Sequence, residues 1–142
     1  MSRRGLQVTL TIAGVVAAGF GMQGVLTGVA GVRNGGKATA NVDSELRFFP
    51  AWYAVAGLAM LRAARKVEAD GAAIRVICVG WFIAACGRVL SVMKVGKPDR
   101  LFRVLTVIEF ALPVVVAPWQ AEVARRAGRH RQYDDADQST IT

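Results

Sequence analysis

A glycine pattern near the amino terminus is the first arrangement of residues that could do chemistry. The stretch GFGMQG, residues 19–24, matches the G-x-G-x-x-G fingerprint of dinucleotide-binding folds, and Asp43 and Glu45 follow about 20 residues later. In those folds the fingerprint joins a strand to a helix within an alternating α/β unit. Here it lies inside the charge-free block 6–32, and no α/β alternation follows. We therefore expect no nucleotide site at these glycines.

The same glycines share one helix face with another small residue. Steps of three and four residues connect Gly14, Ala17, Gly21, Gly24, Gly28 and Gly31. Residues at this spacing lie on a common face. Gly24 and Gly28 also form the small-x-x-x-small pattern that lets two membrane helices approach closely. We therefore predict a helix-packing seam made by Gly14, Gly21, Gly24, Gly28 and Gly31.

Side chains that could form a catalytic or metal centre are few and far apart. The single histidine, His130, lies among arginines near the carboxyl terminus, and no Ser-His-Asp or Cys-His arrangement is recognisable. Cys78 and Cys86 are about 12 Å apart along a helix. That distance is too long for a disulfide, and one distant histidine completes no zinc site. We expect no catalytic residue, no metal and no cofactor.

The most informative polar residues lie inside apolar segments. Charged groups within a bilayer cost at least about 2.5 to 3.5 kcal/mol on insertion scales, so they usually pair and face inward. A hairpin that turns near residues 97–99 places Arg88 and Glu109 at matching depth, and we therefore predict an ion pair between them. The same reasoning on depth collects further groups into one layer in the outer half of the membrane. This predicted polar layer consists of Gln23, Glu45, Arg47, Arg88, Ser91 and Glu109.

Two interpretations of the polar layer remain open. In the first, the layer is an outward-facing pocket that holds a small molecule or a lipid headgroup. The rim of that pocket would be formed by Phe48, Trp52 and Tyr53. In the second, the pair of Arg88 and Glu109 only fixes the register of two helices. Glu45 and Arg47 then lie at the membrane interface, and the aromatic residues form an interfacial belt.

The elements that must position these groups are apolar helices. The chain has 142 residues, of which 54% are hydrophobic, and a net charge of +8. Its charges are concentrated between apolar blocks, whereas a basic nucleic-acid-binding protein carries them on a folded surface. A bilayer core about 30 Å thick needs roughly 20 apolar residues as a helix. We predict an all-α, integral membrane four-helix bundle.

The predicted membrane domain covers residues 1–123, and the remainder is a tail. The helices of the membrane domain are expected at about 6–32, 45–62, 72–95 and 100–123. The first apolar block exceeds the length of a signal-peptide core, so we expect it to be retained as helix one. Residues 124–142 are basic and then acidic, with little to bury, and we predict a disordered cytoplasmic tail.

The basic residues predict how the helices are oriented. More arginine and lysine residues fall on the inner side when both termini are cytoplasmic than fall in the outer loops. The positive-inside rule therefore favours this orientation. We predict a multi-pass protein of the bacterial plasma membrane with its amino and carboxyl termini in the cytoplasm.

Two segments of the chain resemble a known family. They are DSELRFFPAWYAVAGLAML, residues 43–61, and GRVLSVMKVGKPDRLFRVLTVIEF, residues 87–110. Together they resemble the bacterial domain-of-unknown-function family 4345, which consists of small four-helix integral membrane proteins that are distantly DoxX-like. The elements that match are Ser44-Glu45-Leu46-Arg47, Gly87-Arg88-Val89-Leu90-Ser91, Gly96-Lys97-Pro98 and Glu109. The resemblance covers about residues 6–119 and supports the fold, but it implies no established activity.

Three classes of function are compatible with this sequence. The first is a non-catalytic binding or accessory subunit of the membrane. The second is a small proton-coupled transporter that works as an oligomer, in which Glu45 or Glu109 carries a proton. The third is a quinone-linked redox protein, as the DoxX-like similarity suggests. We favour the first class because no nucleophile, metal site or redox motif is recognisable. The partners expected are the lipid bilayer, a lipid or small-molecule ligand, and a homo-oligomer or larger membrane complex, but no nucleic acid.

Overall fold

The described part of the chain forms four α-helices, with one 3₁₀ turn between the first two. The computed structural model describes residues 2–139. The elements are α1 (Arg3–Thr27), the 3₁₀ turn (Gly28–Gly31), α2 (Ala40–Arg65), α3 (Gly71–Val95) and α4 (Arg100–Ser139). Residues 2–139 include no strand. The all-α four-helix architecture predicted from the sequence is therefore confirmed.

Three stretches of helix are long and apolar enough to cross a membrane. They are Arg3–Gly31, Gly71–Val95 and Arg100–Arg129, with mean hydropathies of 1.6, 2.0 and 1.9. Helix α2 is not one of them, because charged residues enter its apolar part at both ends. The structure thus agrees with a membrane protein by the length and composition of these three segments. A fourth crossing by α2 stays a prediction.

Glycine sets the end of α1 earlier than the sequence suggests. The helix stops at Thr27 because Gly28 has a φ of 53°, a left-handed conformation that side-chain-bearing residues rarely adopt. The predicted helix 6–32 is therefore too long at its carboxyl end. At the other end, the hydroxyl of Ser2 accepts a hydrogen bond from the backbone N–H of Gly5 at 3.0 Å, which caps α1.

The backbones of α1 and α2 approach closely along a line of small residues. A Cβ atom on Gly14 would lie 2.9 Å from the carbonyl oxygen of Gly57, and one on Gly24 would lie 2.6 Å from Cβ of Pro50. A Cβ on Gly21 would overlap the backbone of Ala54. Such contacts leave no room for a side chain, so these glycines form the contact between the two helices.

Two members of the predicted seam have a different environment. The space beside Gly28 is filled by the side chains of Asp43 and Arg47, and the space beside Gly31 is filled by Thr27 of the same segment. Because both glycines lie in the 3₁₀ turn, they do not continue the helix face of Gly14. The seam therefore ends at Gly24.

Helix α4 extends through most of the segment that was expected to be disordered. The helix runs to Ser139, and residues 140–142 lie outside the described part of the chain. Glu122 is paired with Arg125 at 3.0 Å and with Arg126 at 2.7 Å. Pairs at these spacings add to the stability of a helix. The structure thus has a helix where low hydrophobicity indicated a tail.

The two helical hairpins pack most closely at one end of the molecule. We call the end that holds the connection 66–70 the packed end, and the end that holds 28–39 and 96–99 the split end. The core concentrates toward the packed end. Its largest fully buried apolar residues are Leu6, Leu10, Met60, Val67, Ile74 and Val116. Burial of such side chains contributes about 1.5 to 3 kcal/mol each in water-soluble domains, and in a membrane their dense packing replaces lipid contacts.

Gly57→Ala tests the contact between α1 and α2. The new Cβ would meet the backbone of Ala18 and the carbonyl oxygen of Gly14, at 2.6 Å from the latter, so the helices must separate. We expect a loss of about 1 to 3 kcal/mol of stability, as for other overpacked sites. Gly19→Ala is the matched control because open space surrounds Gly19, and it should leave the melting temperature in detergent unchanged or raised. Equal melting temperatures for both variants would disprove the close contact.

Candidate functional site

A buried carboxylate joins three helices near the middle of the molecule. Arg88 of α3 donates to Glu109 of α4 through Nε, at 2.6 Å from Oε2, and through Nη2, at 3.1 Å from Oε1. The hydroxyl of Tyr53, on α2, donates to Oε1 of Glu109 at 3.0 Å. The side chain of Glu109 is 3% exposed, whereas that of Arg88 is 34% exposed. The ion pair expected from the sequence is present, with a tyrosine that makes it a three-residue cluster.

The position of this cluster follows from the hairpin of α3 and α4. Arg88 precedes the end of α3 at Val95 by about 10 Å of helix rise, and Glu109 follows the start of α4 at Arg100 by about 14 Å. The two residues thus meet at nearly equal distances from the split end. Their opposite charges and two parallel hydrogen bonds form the bidentate geometry that is strongest between arginine and a carboxylate.

Aromatic rings surround the cluster. The ring of Tyr53 stacks on that of Trp81, with centroids 6.0 Å apart and an interplanar angle of 30°. The guanidinium of Arg88 lies over the ring of Phe102, 5.7 Å from its centroid, a favourable cation–π arrangement. The indole nitrogen Nε1 of Trp81 is buried and finds no acceptor among the described residues. These contacts hold the Tyr53 and Arg88 side chains in place.

A groove of about 790 Å³ runs between the two hairpins beside this cluster. Arg88, Glu109, Tyr53 and Trp81 all contribute to its wall. Most of the remaining wall is apolar and comes from facing positions of α1 and α4. These positions include Val16, Phe20, Leu105, Ile108 and Leu112. The volume and the mainly apolar lining with a few polar groups are typical of small-molecule sites.

Only part of the predicted polar layer lies in this groove. The members that line it are Gln23, Arg88 and Glu109. Glu45 and Ser91 are exposed and lie outside the groove. The equal depth expected from the sequence therefore does not bring them to the groove, because they occupy other faces of their helices.

The predicted aromatic rim also divides. Tyr53 lines the groove, but Phe48 and Trp52 are 56% and 64% exposed and do not contribute to it. Along α2 the groove receives Phe49 and Tyr53, which are one turn apart, and Phe48 and Trp52 occupy the adjoining face. The rim proposed from the sequence is therefore not formed by these two residues.

Arg47 serves the end of α1 and not the groove. Its Nη1 donates to the carbonyl oxygens of Val25, at 3.0 Å, and Leu26, at 2.9 Å, while its Nε donates to Asp43 at 2.8 Å. Asp43 also accepts from the backbone N–H of Val29 at 2.9 Å. These bonds satisfy backbone groups that the end of a helix leaves free. The hydrogen bond from Arg47, supported by that from Val29, lowers the pKa of Asp43.

Several groove residues could not be distinguished in the sequence. Trp81 lies in a run of apolar and small residues from Val76 to Gly87, so its sequence does not show which helix face it occupies. Since lipid and protein interior favour the same side chains, hydrophobicity does not show which of them face the groove. Among the described residues, no group of three or more histidine, cysteine or acidic side chains could hold a metal ion.

A double-mutant cycle on Arg88 and Glu109 tests the cluster. Arg88→Gln leaves a carboxylate that is almost fully buried, while Glu109→Gln leaves a guanidinium that is one-third exposed. Removing one partner of a buried pair costs about 3 to 5 kcal/mol, so Arg88→Gln should lose the most stability and Glu109→Gln less. The double variant should recover part of either loss.

The control for this cycle is an exposed ion pair. Arg62 lies 3.5 Å from Asp70 with 78% of its side chain exposed, so Arg62→Gln should change stability by less than about 1 kcal/mol. Thermal unfolding in one detergent measures all of the variants. Strictly additive losses for Arg88→Gln and Glu109→Gln would show that the two side chains do not stabilise each other.

Comparison with known proteins gives a family but no characterised relative. A family model described as a domain of unknown function, DUF4345, matches residues 5–120. No curated protein and no solved structure shows a significant match. The matched range contains all three members of the polar cluster and all of the residues that line the groove. The chain belongs to the DUF4345 family.

Proposed function

We propose that this protein is a non-catalytic membrane binding protein that holds an amphiphilic molecule in the groove between its hairpins. One observation carries the proposal: an apolar groove passes beside a hydrogen-bonded polar cluster of Arg88, Glu109 and Tyr53. An apolar chain fits the wall formed by α1 and α4, and a polar group fits the cluster. Sites that bind small molecules combine the same two features.

The groove is well placed to receive a molecule from a bilayer. Its walls include α1 and α4, which are two of the helices suited to cross a membrane. Ile12, which lines the groove, and Val107, which follows the groove residue Leu105 by two positions, are exposed and would lie against lipid. An amphiphile could then move between lipid and groove without passing through water.

Binding fits the cluster better than proton transfer. Both carboxylate oxygens of Glu109 already accept hydrogen bonds, and its side chain is 3% exposed. A carboxylate that carries protons across a membrane must exchange its partners with water during each cycle. The two hydrogen bonds from Arg88 oppose that exchange, because both would have to break in each cycle. We therefore prefer a binding role to a transport role.

We further propose that all four helices cross the membrane with both termini in the cytoplasm. The test is cysteine labelling in a Cys78→Ala/Cys86→Ala background. Cysteines placed at Ser2 and Gln138 should react with an impermeant reagent only after cells are permeabilised. Cysteines at Gly35 and Lys97, in the connections at the split end, should react in intact cells. Protection of the latter two in intact cells would reverse the orientation.

Two substitutions of neighbouring valines test whether the groove holds a molecule. Val16 lines the groove, whereas Val15 is exposed on α1 and does not line it. Val16→Trp should fill part of the groove and exclude an occupant, but Val15→Trp should not. The measurement is mass spectrometry of molecules retained after purification in detergent, with bulk membrane lipid as the reference.

The unmodified protein and Val15→Trp should retain the same enriched molecule. Val16→Trp should retain on the order of tenfold less, which corresponds to about 1.4 kcal/mol of lost affinity. Thermal unfolding of both variants shows whether each remains folded. The proposal fails when the unmodified protein enriches no molecule, or when folded Val15→Trp and Val16→Trp retain it equally.

A further inference from the structure

We infer that the molecule in the groove is an uncharged lipid whose carbonyl oxygen accepts a hydrogen bond from Arg88. This inference rests on the proposed binding function and specifies the chemistry of the ligand. Three features of the described residues carry it: the donor that Arg88 leaves free, the zero net charge of its pair with Glu109, and the length of the apolar wall.

Arg88 presents the groove with a hydrogen-bond donor. Its Nε and Nη2 donate to Glu109, and Nη1 has no hydrogen-bond partner among the described residues. Its side chain is 34% exposed and lines the groove, whereas the acceptor, Glu109, is almost completely covered. An arginine has only donors to offer. The ligand group that meets Arg88 is therefore an acceptor.

Trp81 supplies an independent indication of the same kind. Its side chain lines the groove and is buried. Its Nε1–H has no acceptor among the described residues. Buried donors in folded proteins usually have a partner. At this wall, α3 thus presents two groups without a hydrogen-bond partner, Nη1 of Arg88 and Nε1 of Trp81, and both are donors.

The charge of the pair selects a neutral acceptor. The positive charge of Arg88 is balanced by Glu109 through two hydrogen bonds. The pair lies about 10 Å of helix rise from the end of α3. An anion bound there would leave one uncompensated negative charge, which is expensive at such a depth in a bilayer. A cation would be repelled by the positive charge of the guanidinium and would offer it no acceptor. A carbonyl oxygen accepts the bond without adding charge.

The apolar wall sets the shape of the remainder of the ligand. Along α1 the groove is lined at regular helical intervals from Thr9 to Thr27, about 27 Å of helix rise. On α4 the lining residues run from Leu101 to Leu112, which lies one turn beyond Glu109 toward the packed end. A single long hydrocarbon chain attached to a carbonyl group matches this wall. Long-chain esters and chain-substituted quinones share this chemistry.

Bromine quenching of Trp81 fluorescence tests the inference directly. The chain has three tryptophans, so Trp52→Phe/Trp119→Phe leaves Trp81 as the only reporter in the groove. Four probes are compared in detergent: methyl 9,10-dibromostearate, ionised 9,10-dibromostearate, 9,10-dibromooctadecane and a decyl-substituted benzoquinone. The first three have the same chain and differ in the group that meets Arg88.

We expect the ester or the quinone to quench Trp81 saturably, with a dissociation constant about tenfold lower than that of the alkane, as for one hydrogen bond to a charged donor. Whichever of the two binds more tightly identifies the source of the carbonyl. Arg88→Met/Glu109→Leu removes the donor without leaving a lone charge, so the preference over the alkane should disappear. Arg62→Met, at an exposed ion pair outside the groove, should retain the preference.

The possible failures separate the inference from the proposed function. Equal affinity for the ester, the quinone and the alkane would overturn the carbonyl contact but leave an apolar binding groove. Tightest binding of the ionised stearate would overturn the neutral ligand in favour of an anion. Retention of the ester preference in Arg88→Met/Glu109→Leu would show that Arg88 is not the donor. Absence of saturable quenching by every probe would count against both the inference and the groove itself.

Discussion

The contact on which this architecture depends is the carboxylate of Glu109, because it accepts hydrogen bonds from two other helices at once. Arg88 joins α4 to α3, and Tyr53 joins the same carboxylate to α2. In a membrane, apolar surfaces have little preference between lipid and protein, so directional bonds and close packing decide which helices stay together. A charged group at this depth must also be paired. Glu109 and Arg88 therefore each need the other as a charge partner. The bond between Tyr53 and Glu109 also joins the two hairpins away from the packed end, where most of the apolar core lies.

The glycine contact joins α1 to α2, whereas the polar cluster joins α4 to α3 and to α2. Gly14 and Gly57 bring α1 and α2 so close that these helices form one unit. Between the units, the core concentrates toward the packed end, and a groove remains toward the split end. A groove can persist only when something other than side-chain packing fixes the separation of its walls. The Tyr53–Glu109 bond provides that spacing, since it is directional and lies at the wall of the groove. A purely apolar contact at the same place would be free to slide or close.

The helices and the Arg88–Glu109 pair could be predicted because both depend on distance along the chain. The other groove residues could not, because they depend on which face of a helix a residue occupies. Depth in a bilayer can be read from distance along the chain, so two opposite charges equally far from one turn could be paired. Depth does not reveal the face of a helix. Glu45, Ser91, Phe48 and Trp52 were assigned suitable depths, but they do not line the groove. In a soluble helix the polar face would have shown this, whereas a membrane helix is apolar all round. Gly57 was not predicted as part of the contact because a single glycine forms no repeat. The helical extension to Ser139 was not predicted because its polar sequence offers little apolar surface to bury.

Arg47 and Arg88 illustrate how location distinguishes a structural arginine from a binding one. Both lie in the half of the molecule toward the split end, and both have an acidic partner. Arg47 lies at a helix end, donates to two backbone carbonyls, and can give any remaining donor to water. Arg88 lies two turns inside α3, where no such solvent is expected if the helix crosses a bilayer. A free guanidinium N–H has no cost at the first position, but at the second it is an unsatisfied donor in apolar surroundings. A free guanidinium N–H therefore has no energetic consequence at Arg47, whereas at Arg88 it favours a ligand that accepts a hydrogen bond. For this reason the proposed binding function is assigned to Arg88 and not to Arg47.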